Sequence, residues 1–142
     1  ASIHAGPFIG YRASVSVLDI RDIYFDLMKY RLPLINRRIK KDLYNLEERF
    51  DLTICSHVIE HVPDPVGFVR QLQNVSRQKV FLLAPWKEDS NHLTKGHINI
   101  LDESFIEAFS DAEWSLEENI AWGAFLTPRY KMLYMGLPGR AS

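Results

Sequence analysis

The stretch Phe50-Asp-Leu-Thr-Ile-Cys-Ser-His-Val-Ile-Glu-His-Val-Pro-Asp-Pro65 passes from one hydrophobic pattern to another within a few residues. It begins with an apolar, β-branched run, Phe50 to Ser56, which is typical of a buried strand. A polar segment follows and ends at Pro63 and Pro65. Pro65 suits the first turn of a helix, because its fixed φ and its missing N–H cost nothing there. The stretch therefore predicts a strand, a polar turn and the start of a helix.

The residues before this stretch show two further strand patterns. Ser14 to Ile20 is a short β-branched run that contains the acid Asp19, and it predicts a buried strand. Asp22 to Tyr30 has apolar residues at mixed spacing and predicts a weak helical turn or two. The charged segment Asn36 to Asp42 predicts a short edge strand, and Leu43 to Arg49 predicts a turn or a brief helix.

The residues after it continue the alternation. Val66 to Ser76 carries one apolar side and predicts a helix that packs on a sheet. Lys79 to Pro85 is apolar throughout, which predicts a central strand covered on both faces. Asp102 to Phe109 predicts a helix with Asp102 as its N-cap. The aromatic-rich tail, Trp114 to Leu137, predicts one or two final strands.

This order of strands and helices predicts an α/β fold, with a Rossmann-like, mostly parallel sheet and helices on both of its faces. No repeat or flexible linker interrupts the chain, so we predict a single domain over residues 1–142. Ligands of such sheets bind beyond the carboxyl ends of the strands. The functional residues are therefore sought at Asp19, at Asp42, at Ser56 to His61 and after Pro85.

The composition limits the classes of function. The chain is 46% hydrophobic and 25% charged, as globular domains are. Its 17 basic and 18 acidic residues give a net charge of -1, which argues against nucleic-acid binding through bulk charge. Its apolar stretches are too short for a membrane span. The single cysteine, Cys55, cannot form an internal disulfide, and we therefore expect a reducing, cytoplasmic location.

Five histidines give the sequence two candidate clusters. His57-Val-Ile-Glu-His61 has the His-x-x-Glu-His order of inverted zinc proteases, in which both histidines bind zinc and the glutamate is the base. The segment meets Pro63 too soon for the long helix of such a site, so zinc hydrolysis is the minor hypothesis and no metal is expected. His92 and His97 could form a metal or acid–base site with His61, but loop histidines are more often plain surface residues.

The same segments, taken in order, resemble class I S-adenosylmethionine (SAM)-dependent methyltransferases, in particular the small-molecule and glycan branch. Phe50 to Pro65 is similar to the strand-four segment of that family. Val17-Leu-Asp19-Ile is similar to its second strand with the ribose-binding acid, and Lys41-Asp42-Leu43 to the acid-plus-apolar pair beside the adenine. Val80 to Pro85 is similar to strand five, and Gly96 to Phe109 to the loop and helix that follow it. The resemblance covers roughly residues 14–110.

The resemblance implies a reduced class I methyltransferase fold with SAM as cofactor and a small-molecule or glycan acceptor. The glycine-rich loop of the family would be compressed into Ile3 to Gly10, ahead of Asp19. It implies that cofactor-binding residues are Gly6 at the methionine end, Asp19 on the ribose, Asp42 and Leu43 at the adenine, and Cys55, Ser56 and His57 along the cofactor. A general base for a hydroxyl acceptor would be His61 or His97, since imidazole titrates near neutrality.

Two alternatives stay beside this hypothesis. A methyltransferase-like domain without catalysis would serve as a binding or scaffold protein, which the weak glycine loop favours. Zinc hydrolysis by the His57 to His61 segment is the other. The short specificity elements favour a large acceptor, or completion of the pocket by a second subunit, in a homodimer or with another partner.

Overall fold

The structure is a computed structural model that describes residues 13–21, 25, 35–119 and 130–140 of the 142-residue chain. The chain forms two compact units, residues 1–47 and residues 48–142. Each unit is described by itself. None of the helices in the described ranges has the length and apolar character that crossing a membrane requires.

The first unit contains a pair of parallel strands, β1 (Ser16–Asp19) and β2 (Arg37–Lys40). Val17, Phe25 and Ile35 form a buried cluster. Asn36 anchors the start of the strand pair, since its side-chain oxygen accepts the N–H of Val15 at 2.7 Å. Both predicted strands are thus confirmed, with shorter bounds.

A 3-10 turn, Leu43–Asn45, follows β2 and confirms the predicted brief helix. Most of the predicted helix from Asp22 to Tyr30 lies outside the described residues, as does the glycine segment from Ile3 to Gly10.

The second unit contains a four-stranded sheet of β3 (Phe50–Ser56), β4 (Ser76–Trp86), β5 (Glu113–Asn119) and β6 (Tyr130–Pro138). The spatial order is β3-β4-β6-β5. β3 and β4 are parallel, whereas β6 is antiparallel to both of its neighbours. Three strands therefore run in one direction and the last strand of the chain is inserted among them. The predicted α/β class, the strand from Phe50 to Ser56 and the final strands are confirmed.

Within residues 50–119, two α-helices lie between the strands along the chain, α1 (Pro65–Asn74) and α2 (Glu103–Glu107). Each begins at an aspartate cap, as Asp64 accepts the N–H of Gly67 and Asp102 accepts that of Ser104. These contacts confirm the helix starts predicted from Pro65 and Asp102.

Helix α1 packs against β4 and is joined to it by a buried serine. The hydroxyl of Ser76, which is fully buried, donates to the carbonyl of Leu72 at 2.7 Å and contacts the hydroxyl of Thr53. Ser76 is the first residue of β4, so the helix ends earlier than its apolar pattern predicts.

The prediction that β4 is covered on both faces is wrong. Val80, Leu82 and Ala84 are buried on one face. On the opposite face Phe81 is 40% exposed, and so is its partner on β3, Ile54, at 41%. Successive side chains of a strand point to opposite faces, and an apolar run shows that both faces suit burial without showing that both are covered.

Candidate active site

Asp19 ends β1 in the first unit, at the position expected for a ribose-binding acid. One oxygen of its carboxylate accepts the N–H of Arg21 at 2.9 Å. A carboxylate offers about four acceptor positions, so this side chain retains the capacity to accept two neighbouring hydroxyl groups. The chemistry of Asp19 therefore fits a ribose.

Asp42 and Leu43 lie at the start of the 3-10 turn in the same unit. The carboxylate of Asp42 caps this turn by accepting the N–H of Tyr44 at 2.9 Å. Asp42 is exposed, whereas the side chain of Leu43 is buried. Gly6, the third residue expected at the cofactor in this half of the chain, lies outside the described residues.

In the second unit, β3 ends at Cys55, Ser56 and His57. Cys55 and Ser56 are buried. Burial raises the pKa of the Cys55 thiol to about 12, and the nearby charge of Glu60 acts in the same direction. His57 turns the chain out of the strand with a positive φ of 53°, and its N–H donates to Leu83 at 2.9 Å. Its side chain is about half exposed, so it is the accessible member of the three.

A loop is fastened to the turn that follows β3. The turn is a 3-10 helix of three residues, Ile59–His61. The N–H groups of Ile98 and Asn99 both donate to the carbonyl of Glu60, and the amide of Asn99 donates to Ile59 and Val62. These bonds bring together two histidines that are far apart in the sequence. The ring centres of His61 and His97 are 4.7 Å apart, with an edge-on geometry.

Both imidazole rings are oriented through Nδ1. The Nδ1–H of His61 donates to the carbonyl of Gly96 at 2.9 Å, and Nδ1 of His97 lies 2.5 Å from the carboxylate of Glu88. Partial burial opposes the ionisation of Glu88, but hydrogen bonds from His97 and Thr94 lower its pKa below the ordinary value. Because carbonyl and carboxylate oxygens only accept, each neutral ring carries its lone pair at Nε2.

Glu60 is the fully buried carboxylate of this cluster. It is 0% exposed, and neither of its oxygens has a hydrogen-bond partner among the described residues. Nδ1 of His57 lies 3.3 Å from one oxygen as an ion-pair contact. One ligand atom each from Glu60, His61 and His97 lie within 4.8 Å of one another.

The structure does not contain the two-histidine helix of an inverted zinc protease. The turn has three residues and His57 precedes it with a positive φ, so His57 and His61 do not share a helix face. His92, the other histidine considered for this cluster, is 83% exposed and pairs with Asp89.

Sequence reasoning missed Glu88, Thr94 and Asn99, which orient the cluster. Glu88 does follow the carboxyl end of β4, an expected site region. Its pairing with His97 joins two residues across a loop, so no pattern of neighbouring residues in the sequence indicates it.

A cleft of about 270 Å³ lies between the start of α1 and the chain leading into α2, and its lining includes Ile98, the residue directly after His97. Ile98 and Ile100, both exposed, lie on its wall. The lining residues are Pro65, Val66, Ile98, Asn99, Ile100, Leu101, Asp102, Ser104 and Phe105.

Comparison with known proteins gives structural similarity only. The chain matches no protein-family model and no curated protein. It is similar to magnesium protoporphyrin IX methyltransferase from Synechocystis PCC 6803 with bound SAM, with 15% identity and a TM-score of 0.59. That match covers 92% of this chain and 62% of the other, so our chain spans less than two thirds of that protein.

Two further structures have the same fold. The N-terminal domain of EvdMO1 with bound S-adenosylhomocysteine (SAH) is 15% identical with a TM-score of 0.58, covering 90% of this chain and 66% of that one. The YcgJ protein from Bacillus subtilis is 11% identical with a TM-score of 0.69. That match covers 98% of this chain and 88% of YcgJ. The chain therefore has the class I methyltransferase fold.

Proposed function

We propose that this chain is a SAM-dependent methyltransferase that acts on a hydroxyl group of a small-molecule or glycan acceptor. The observation that carries the proposal is the carboxylate of Asp19, which ends the first described strand of a class I methyltransferase fold. Solved proteins of this fold hold SAM or SAH. The acid retains free acceptor positions for the ribose of such a cofactor.

In the first unit, the cofactor-binding residues are Gly6, Asp19, Asp42 and Leu43. Asp19 accepts the two ribose hydroxyls, and Asp42 accepts from the adenine while it caps its turn. Leu43 is proposed for the adenine together with Asp42, and because its side chain is buried it acts there by holding the turn. Gly6, which lies outside the described residues, is proposed for the methionine end on its residue type alone, because a glycine has no Cβ to obstruct a ligand.

In the second unit, the three residues at the end of β3 contribute to the proposed site by where they lie rather than by reacting. Cys55 stays a neutral thiol, since its pKa is about 12. With Ser56 it packs the strand end, and His57 presents its accessible ring.

The cofactor supplies a methyl group already activated by a positive sulfur, so the protein chiefly orients the reactants. His97 and His61 are the candidate bases. As the acceptor oxygen takes the methyl group, Nε2 of one ring takes the hydroxyl proton. The ring of His97 is held more firmly than that of His61, because its Nδ1–H donates to the ionised carboxylate of Glu88.

We place the acceptor in the cleft between α1 and the chain leading into α2, whose wall includes Ile98 and Asn99, the two residues that follow His97. An apolar wall with polar groups suits the ring faces and hydroxyls of a sugar. A related structure, the N-terminal domain of EvdMO1, was crystallised in the presence of SAH and D-fucose, which supports a sugar-type acceptor.

Calorimetric titration of the 142-residue chain with SAH tests the cofactor site. We expect saturable binding that Asp19→Ala weakens about 10- to 100-fold, the loss expected for hydrogen bonds to a charged group. Asp111→Ala removes an exposed carboxylate elsewhere and serves as the control. Absence of SAH binding by folded protein would reject the proposal, and binding without methyl transfer to any sugar or small-molecule hydroxyl would support the non-catalytic alternative.

A further inference from the structure

The cluster of Glu60, His61 and His97 has the dimensions of a metal site. One ligand atom from each residue lies within 4.8 Å of the other two. Ligand bonds of about 2.1 Å in a tetrahedral site place the ligand atoms about 3.4 Å apart. Among the atoms so grouped, in which either ring nitrogen can represent a histidine, the most distant pair would therefore have to close by at most about 1.4 Å. His61 is the exposed member of the three, so its side chain has the most room to adjust.

Glu60 supplies a second, independent observation. Its carboxylate is 0% exposed, neither oxygen has a hydrogen-bond partner among the described residues, and it faces the two imidazole rings. Buried carboxylates are as a rule paired with another group or bound to a metal ion. The contact with the half-exposed His57, at 3.3 Å, compensates this charge in part.

The surroundings of both histidines are those of metal ligands. A ligating imidazole almost always donates its second ring N–H to a carboxylate or a backbone carbonyl, which fixes its orientation. His97 does so to Glu88 and His61 does so to Gly96, as described above. Glu88 is itself held by the hydroxyl of Thr94 at 2.7 Å. Nε2 of each ring is thereby the nitrogen available to an ion.

We propose that Glu60, His61 and His97 bind a divalent transition-metal ion of the zinc class. Two imidazoles and one carboxylate suit zinc or iron(II), whereas magnesium and calcium prefer oxygen ligands throughout. Three protein ligands leave at least one coordination position open. The exposed ring of His61 places the site at the surface, where water or another oxygen ligand can fill that position.

This site differs from the expectation of no metal and from the zinc protease pattern. Glu60 is a ligand rather than a base, and His97 replaces His57 as the second nitrogen ligand. The inference stands on residues of the second unit alone, and its test needs no SAH, but it uses the two rings that are the candidate bases above. The two roles of the rings are alternatives, because an Nε2 atom bound to an ion accepts no proton.

Titration of the metal-stripped 142-residue chain with Zn²⁺, in the absence of SAH, tests the inference. We expect one ion per chain by calorimetry and by elemental analysis, and no displacement by Mg²⁺. His61→Ala and His97→Ala each weaken binding at least about tenfold. Glu88→Gln weakens it about 10- to 100-fold and keeps the stoichiometry, because it alters orientation rather than a ligand. His92→Ala, an exposed histidine outside the cluster, leaves it unchanged.

Circular dichroism of each variant shows whether a loss of binding comes from a loss of folding. Because the side chain of His61 is exposed, we expect His61→Ala to leave the fold intact. Failure of the folded wild type to bind one Zn²⁺ would overturn the inference, and so would affinity that His61→Ala leaves intact. Zn²⁺ binding without SAH binding would reject the proposed function alone, and SAH binding without Zn²⁺ binding would reject the metal site alone.

Discussion

Glu88 shows how a single side chain orients a ring that is distant from it in the sequence. Its carboxylate accepts from His97 and Thr94, and its side chain is only 15% exposed. The pKa of Glu88 is lowered by these hydrogen bonds despite the opposing effect of burial. A lowered carboxyl pKa means that the folded state favours the ionised form, which links stability to pH.

We predict that Glu88→Gln lowers the free energy of unfolding by about 1–3 kcal/mol near neutral pH, the range for a hydrogen bond to a charged group. The contribution of the native carboxylate is fully present above its ordinary pKa. It is lost as the pH falls through the lowered pKa of the folded state, so the difference between the proteins disappears in acid. Urea unfolding from neutral pH to pH 3 measures this, with the exposed Glu107→Gln as the control. A difference in the free energy of unfolding between the wild type and Glu88→Gln that stays constant with pH would contradict the prediction.

The segment after β6 contacts β4, α1 and Arg49, the residue before β3. The N–H of Gly139 donates to Gln78 in β4 at 2.8 Å, and that of Arg140 donates to Gln73 in α1 at 3.1 Å. A guanidinium nitrogen of Arg49 contacts the carbonyls of both Ser76 and Arg140. The backbone approaches β4 so closely at Gly139 that a Cβ atom would lie 2.5 Å from the carbonyl oxygen of Ser76.

Gly139→Ala should therefore destabilise the protein by about 1–3 kcal/mol, because the colliding atoms belong to the backbone and cannot rotate away. Gly136→Ala is the matched control. There the nearest atom is Cε of Lys79, at 3.1 Å, at the end of a flexible side chain, so we expect a change of about 0.5 kcal/mol or less. Thermal or urea unfolding compares the two variants. Equal losses of stability in the two variants would show that the close backbone contact at Gly139 is not the reason why a larger residue is unfavourable there.

The second unit is stabilised by one buried face of its mixed sheet. Val80 and Leu82 of β4 and Leu133, Met135 and Leu137 of β6 are all 3% exposed or less. β6 lies between β4 and β5, so its side chains are surrounded while those of β5 lie at the edge of the sheet. Leu116 on β5, the direct partner of Leu133, is 37% exposed.

The two paired leucines allow a direct test of this arrangement. We predict that Leu133→Ala costs about 2–5 kcal/mol, as for a fully buried leucine. Leu116→Ala removes the same atoms and should cost about 1 kcal/mol, because much of its surface stays in water. Urea unfolding of both variants gives the comparison. Similar costs would mean that β5 is covered in solution by something beyond the described residues.

Local patterns predicted most of the secondary structure. The run from Phe50 to Ser56 specifies β3 because its β-branched and aromatic residues suit a strand wherever it pairs. Pro65 and Asp102 specify helix starts, since these signals depend on neighbours within three or four residues. The position of Asp19 at a strand end follows from the same kind of signal.

Local sequence patterns are therefore sufficient for the α/β class, the order of the elements and the acid at the end of β1. Only the tertiary structure placed β6 between β4 and β5, left Phe81 exposed, and brought His97 to His61. It also buried Glu60 without a hydrogen-bond partner among the described residues, and it aligned Glu88 with His97. The reason is physical: periodicity and capping act over a few neighbouring residues, whereas these contacts join residues that lie far apart along the chain and form only when the elements pack.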